Sequence, residues 1–374
     1  MIVRIQGASE YQNGIYYEYD NESQPLGQGG MGIVYEGRCF RVSNPDEYIP
    51  VAIKLITNNA PELIDRAMKE AEVQVDHPNL LRMWGFIPNM ERNGYGNDYI
   101  TRYYVVMDRL IGVDMYNIIN GNCQDLYGNT IGYAQQLYHM FQNDRLEFVK
   151  TVMLDTIRGL EKLHEMGYIH RDVDPSNIMV TNEGQIKLID FGICKRVGTN
   201  TLTERSLTQT GAIIGKLDYA APELILGDVN NHNVTTDVYA LGILLYQLYT
   251  GTLPFTGTNN DIMQAQLKDN VPVKNVDDTR LRKIIAKATQ KQQHMRYQSV
   301  VEMMMDLDSV SSVPPVPPIP VDGGSDGTII DDSVPIPNPD RGSNIIIAIL
   351  SVILTILGLV LGYLMYTNDF LNLW

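Results

Sequence analysis

The sequence predicts an α+β fold, strand-rich at the front and helical behind, on three observations. The first is a pair of β-branched and aromatic stretches, "GIVYEG" and "YIPVAIKLI", ahead of residue 60; such residues suit the pleated surface of a sheet. The second is a set of later residues at helical spacing: Val149, Met153, Ile157, Leu160 and His164 in one run, and Val238, Leu241, Leu245 and Leu248 in another. The third is length, since 374 residues leave room for a domain of about 300 in two subdomains, plus attachments.

In chain order, "PLGQGGMGIVYEG" carries Gly27, Gly29 and Gly32 in G-x-G-x-x-G spacing. A dinucleotide site would need a helix next. Strand-like residues follow instead, so the stretch reads as a hairpin whose glycines let backbone N–H groups close over phosphates. In "YIPVAIKLI" Lys54 sits inside an apolar strand and needs a partner or solvent. A surface lysine that snorkels is the plain alternative. The helix expected from about Pro61 offers Glu70 as partner, with Glu72 as the second choice.

The helix of "LEFVKTVMLDTIRGLEKLHEMG" should stop at Gly167. "YIHRDVDPSNIMVTNEGQIKLIDFG" then reads as a loop, a short strand, a turn at "NEG" and a second strand, bringing Asp172, Asn177 and Asp190 to one end of a hairpin. Phosphoryl transfer uses such a set: a carboxylate to take a hydroxyl proton and oxygens to hold Mg²⁺. The helix of "TTDVYALGILLYQLYTG" should be capped by Thr235 or Thr236 and end at Gly251.

G-x-G-x-x-G-x-V, V-A-I-K, "HRDVDPSN", "DFG" and "AAPE", in this order, resemble a protein kinase over about residues 18 to 310, and the bacterial Hanks-type Ser/Thr kinases in particular. The resemblance implies a two-lobed protein kinase-like fold, with an N-lobe of about residues 1–108 and a C-lobe of about 109–310, and ATP and Mg²⁺ as cofactors. It implies that Val34 and Ala52 cover the adenine and that Lys54, paired with Glu70, binds the α and β phosphates. Met107 would be the gatekeeper, with backbone groups near Asp108 and Leu110 at the adenine edge. Asp172 would be the base, Asn177 and Asp190 the magnesium ligands, and Arg171 the arginine facing the activation segment. Asp237 would brace the catalytic loop, Arg296 would pair with Glu223, and His170 would be packed rather than shuttle protons. Residues 113–147 are longer than that region usually needs in the family and resist assignment.

Two positions depart from the pattern. Asp174 stands where the family has a lysine aimed at the phosphoryl group, and an unpaired acid there would repel the γ-phosphate. Lys216, in "GKLDYAAPE", replaces a threonine that normally bonds that lysine and the catalytic aspartate. The two read together as a swapped pair that keeps the charge balanced; read apart, Asp174 points to a nucleotide-binding pseudokinase scaffold. "HRDVDPSN" lacks the tyrosine-kinase pattern, which favours Ser/Thr acceptors. Thr208 and Thr210, in "LTQTGAIIGK", resemble the family's autophosphorylated threonines, whose phosphate would pair with Arg171.

A formal net charge of −15 argues against a nucleic-acid partner. Three unevenly spaced cysteines, Cys39, Cys123 and Cys194, supply no zinc spacing and read as free buried thiols of a reducing compartment. Residues 311–344, dense in Pro, Gly, Ser and Asp, read as a linker. Residues 345–366 are 22 in number without a charge, enough to cross a bilayer core of about 30 Å. Arg341 on the near side leaves the large N-terminal part in the cytoplasm and residues 367–374 as a short extracytoplasmic tail, too small for a sensor. The expectation is a single-pass kinase of the cell membrane that acts on protein substrates and meets a second copy transiently for trans-autophosphorylation.

Overall fold

Strand alternation explains the front of the molecule. The computed structural model describes residues 1–29, 32–92, 99–191, 194–196 and 216–310. Its first sheet is antiparallel throughout, in the order β1 (Ile2–Ile5), β2 (Ile15–Asp20), β4 (Gly32–Arg41), β5 (Asn44–Ile56), β7 (Tyr99–Asp108), β6 (Met83–Arg92), with β3 (Gly27–Gly29) paired to β4. A short helix α1 (Ala8–Gln12) follows β1. Side chains along a strand point to opposite faces with period two. Val51 and Ile53 of β5 join Tyr104 and Val106 of β7 in one core, while Ala52, Ile56, Val105 and Met107 join the other. Lys54, between Ala52 and Ile56, therefore shares the face covered by α2 (Pro61–Glu72), which packs on β6 and β7.

Helices dominate after β7. β8 (Gly112–Asp114) leads to α3 (Met115–Ile119), α4 (Gly132–Asn143) and α5 (Arg145–Glu165). The expected loop, strand, turn and strand come next: β9 (Tyr168–Ile169), β10 (Ile178–Thr181) and β11 (Ile186–Leu188), with β10 between β11 and β8. β12 (Lys195–Arg196) pairs with β9. Beyond it lie α6 (Pro222–Ile225), α7 (Val234–Thr250), α8 (Asn259–Lys268), α9 (Thr279–Ala288) and α10 (Val300–Asp308). The segment 113–147, unassigned from sequence, runs from within β8 through α3 and α4 to the start of α5, with a turn between α3 and α4 closed by a Gln124–Thr130 bridge.

One detail of α7 corrects the sequence reading. Its cap is Asn233, which accepts from the Thr235 backbone N–H at 2.9 Å, and Thr236 closes the capping box from inside the helix. Val238, Leu241, Leu245 and Leu248 are buried as their spacing suggests, and so is every other residue from Thr235 to Leu248, because α5, α9 and α10 surround the helix. Its stop is as expected, at Gly251 with φ +81°, a left-handed conformation that suits glycine. Cys39, Cys123 and Cys194 are free and buried.

Thr208, Thr210, the linker 311–344 and the apolar run 345–366 lie outside the described residues. Among the described residues no helix is long and apolar enough to cross a membrane.

Candidate active site

Lys54 finds its partner on α2, and it is Glu70 rather than Glu72: Nζ lies 2.7 Å from Oε2 and 3.0 Å from Oε1. Burial pushes the Glu70 carboxyl above its ordinary value, against the pull of the Lys54 ammonium. The cation sits on the sheet face that looks into a cleft of about 470 Å³ between the sheet and the helical half. Leu26, Gly27, Val34 and Ala52 line it from above, Met179 and Ile189 from below, and Met107 through Asp114 along the connecting segment. Of the residues expected at a nucleotide, Gly27, Val34, Ala52, Met107, Asp108 and Leu110 are in this lining, whereas Gly29, Gly32 and Lys54 are outside it.

The three glycines divide by what surrounds them. A Cβ on Gly27 or Gly29 would meet nothing within 4 Å, so their surroundings are open. A Cβ on Gly32 would stand 2.1 Å from the Leu55 carbonyl oxygen. The third glycine is thus required by close strand pairing with β5.

The catalytic-type loop is held from below. Asp237 of α7, wholly buried, accepts from the backbone N–H of His170 and of Arg171 at 2.8 Å each, and its Oδ2 lies 2.7 Å from His164 Nε2. Burial alone would raise the Asp237 pKa; the bonds from His164 and the His170 backbone outweigh it and hold the carboxyl below its ordinary value. Arg171 has φ +67° and Asp190 φ +63°. A non-glycine residue keeps such a conformation only where its surroundings over-determine it. For Arg171 the restraint is the Asp237 clamp. His170 packs edge-on against Phe191, with ring centroids 5.9 Å apart. Phe191 is buried and Asp190 beside it is exposed.

Above this floor, Asn177 is fixed by its amide nitrogen, which donates to the Asp172 carbonyl at 2.8 Å and to Asp172 Oδ2 and Asp174 Oδ2 at 3.1 Å each. Those bonds orient the amide and leave its Oδ1 as the oxygen available to a cation. Burial pushes the Asp172 carboxyl up, with Asp174 and Asp190 adding to the rise, which moves it toward the range of a working base. Asp174 is buried and accepts from Ser176 N and Oγ at 2.8 Å each, so it caps the turn Pro175–Asn177. Lys216 Nζ lies 2.6 Å from Asp174 Oδ1, and the Lys216 backbone N–H donates to Asp172 Oδ1 at 3.0 Å. The two departures seen in sequence therefore meet in space.

No group of three His, Cys, Asp or Glu side chains stands close enough to hold a metal by itself among the described residues. A magnesium ion that is held partly by substrate phosphates does not need one, and the Asn177 oxygen with the exposed Asp190 carboxylate is a fitting donor set.

Further out, Glu223 and Arg296 form a buried two-pronged pair, Oε1 to Nη1 at 2.8 Å and Oε2 to Nη2 at 2.9 Å. What sequence reasoning missed is the wall that Asn122, Gln124, Asp125, Leu126 and Tyr127 add to the cleft. The excess length of that region is visible in the sequence; its placement depends on how the turn folds back.

The family model described as protein kinase domain matches residues 20–309. A probable serine/threonine-protein kinase of Clostridium perfringens is 29% identical over 297 residues, covering 77% of this chain and 37% of that protein. The probable serine/threonine-protein kinase PknB of Lactococcus lactis is 29% identical over 300 residues, 77% of this chain and 41% of its own length. PknB of Mycobacterium tuberculosis is 30% identical over 292 residues, 75% of this chain and 41% of its own. The chain thus spans about two fifths of the length of these relatives.

Proposed function

Because the chain belongs to the protein kinase family, we propose that it is an ATP- and Mg²⁺-dependent serine/threonine kinase that phosphorylates protein hydroxyls from a membrane tether. The observation that carries the catalytic part is the ion pair of Lys216 with Asp174 beside Asp172. It supplies a cation next to the base although the catalytic loop has lost its own.

In this reading Lys54, steadied by Glu70, would hold the α and β phosphates, and Asn177 and Asp190 would hold Mg²⁺, whose charge would neutralise that of the phosphates. Asp172 accepts the proton of a serine or threonine hydroxyl as its oxygen bonds to the γ-phosphorus. The bond from that phosphorus to the β–γ bridging oxygen breaks, and ADP leaves. Lys216 offsets the charge that develops on the phosphoryl oxygens. Asp174 serves the turn and orients Asn177, so its negative charge is taken up by hydrogen bonds and by Lys216.

The uncharged run 345–366, with Arg341 before it, supports a single span that leaves the kinase in the cytoplasm. The linker 311–344 would give a reach of up to about 100 Å at ~3 Å per residue. Tethered copies would meet often enough to phosphorylate one another at Thr208 or Thr210, and the new phosphate would pair with Arg171. Sedimentation of the expressed chain with membranes, lost on removal of residues 345–374, is the check on the tether.

The acid at 174 favours a second reading, a nucleotide-binding scaffold without transfer. Intact mass after incubation with Mg-ATP separates the two. Phosphate-sized gains in the native chain and none in Asp172→Asn support the kinase. Bound ATP with no gain, on the chain or on a general acceptor protein, would leave the scaffold.

A further inference from the structure

We propose that the turn 122–127 is an outer wall of the nucleotide cleft, and that Tyr127, tied to Arg109 and Glu36, sets how tightly the nucleoside is held. The inference rests on the nucleotide reading above and adds to it a binding element from the segment that the sequence motifs left unassigned.

The turn is rigidly built. The Asp125 side chain accepts from the backbone N–H of Tyr127 at 2.9 Å and of Asn129 at 2.8 Å. The Asp125 N–H donates to the Asn129 carbonyl at 2.9 Å, and Gly128 takes the left-handed conformation at φ +81°. Buried Cys123 and Ile131, joined by a 2.9 Å backbone bond, anchor its base. At the apex Leu126 is 69% exposed and Tyr127 55% exposed, yet both line the cleft. A leucine and a tyrosine presented on a stiff turn at the mouth of an apolar-lined cavity gain burial when something fills that cavity.

Tyr127 also reaches across the cleft. Its hydroxyl donates to Glu36 Oε2 at 3.3 Å and accepts from Arg109 Nη2 at 3.3 Å, while Arg109 Nη2 lies 3.2 Å from Glu36 Oε2. Glu36 belongs to β4, on the same strand face as Val34, so the wall is tied to the strand that carries the glycine-rich hairpin. The connecting segment supplies Arg109, so these three side chains join the wall, the strand and the connecting segment. Lys54, Asn177 and Asp190, the side chains assigned to phosphates and metal, and the base Asp172 all lie outside this lining, and of the glycines expected over the phosphates only Gly27 is in it. The wall therefore faces the nucleoside end of the cleft.

The test is calorimetric titration of the full chain, in detergent, with Mg-ADP, beside the ATP dependence of its phosphotransfer. Tyr127→Ala, which removes both wall and tie, should weaken ADP about tenfold, and Tyr127→Phe, which removes only the tie, roughly two- to threefold. KM for ATP should rise by more than kcat changes, with the melting temperature of the nucleotide-free protein held. A Tyr127→Ala protein that binds ADP as tightly as the native chain would overturn the wall. If that variant does not fold, Tyr127→Phe and Glu36→Gln decide in the same way, unchanged affinity in both being the adverse result. A native chain that melts cooperatively but gives no heat with Mg-ADP would instead remove the nucleotide reading, and this inference with it.

Discussion

Two acid–base pairs, Glu223 with Arg296 and Asp174 with Lys216, have similar lengths, 2.8 and 2.6 Å, and opposite surroundings. Arg296 has no exposed side-chain surface and also donates to the carbonyls of Thr235, Lys291 and Gln290. Lys216 is 46% exposed, while its partner Asp174 is 1% exposed. Every donor of the first pair is used inside the fold, so it can only hold structure. In the second, the acid is bound into a turn and the cation remains open to solvent. Burial of the cation, more than the length of the bond, separates a scaffold pair from one able to meet a phosphate.

The largest expected effect is on the scaffold pair. Arg296→Ala leaves the Glu223 carboxylate buried without its partner and should cost roughly 3–5 kcal/mol in urea unfolding. A loss below about 1 kcal/mol would break the contrast between the pairs.

Next comes His232, which lies beside the scaffold pair. A single neutral tautomer satisfies it: Nε2 donates to the Glu223 carbonyl at 3.3 Å and Nδ1 accepts from Arg171 Nη1 at 3.4 Å. Burial, then the Arg171 charge, lowers its pKa to about 4. The unfolded chain binds this proton from about pH 6.5 and the folded chain only near 4, so stability is full above the first value and declines as pH falls through the window. The decline should reach at most about 3 kcal/mol, and His232→Gln should flatten it in denaturant midpoints measured across that range. An equal slope in both proteins would assign the acid sensitivity elsewhere.

Lys216→Met should lower kcat by roughly 100-fold, the scale of losing one charge-stabilising group, and cost less stability than Arg296→Ala because Asp174 keeps its bonds from Ser176 and Asn177. If stability fell as it does for Arg296→Ala, the two pairs would be of one kind.

The smallest effect is on the pH profile. Burial and the Asp174 charge raise the Asp172 pKa, so the acid limb of kcat/KM should lie above the ordinary aspartate range. Asp174→Asn removes part of that push and should move the limb to lower pH. A limb that moves upward would mean that Asp174 is not felt by the base as a negative charge.

Much of this site is legible in the sequence because its chemistry is written in short runs. Asp172, Asp174 and Asn177 lie within six residues, and one local turn brings them together. Lys54 needs a partner because it interrupts an apolar strand, and Glu70 stands at 2.7 Å from it. Asn233 escapes a reading by pattern because two threonines follow it, and the choice among three capping residues depends on where the chain turns. Tyr127 escapes it for a different reason: its partners Glu36 and Arg109 lie 91 and 18 residues away.

By itself the sequence determined the strand-then-helix order, the family pattern and the identity of the charged groups, since these depend on period and spacing along the chain. Only the tertiary structure decided that Asp174 and Lys216 face each other, that Gly32 is needed for strand packing, and that the unassigned segment lines the cleft. Those outcomes depend on distances between residues far apart in sequence, which packing sets and local propensity does not.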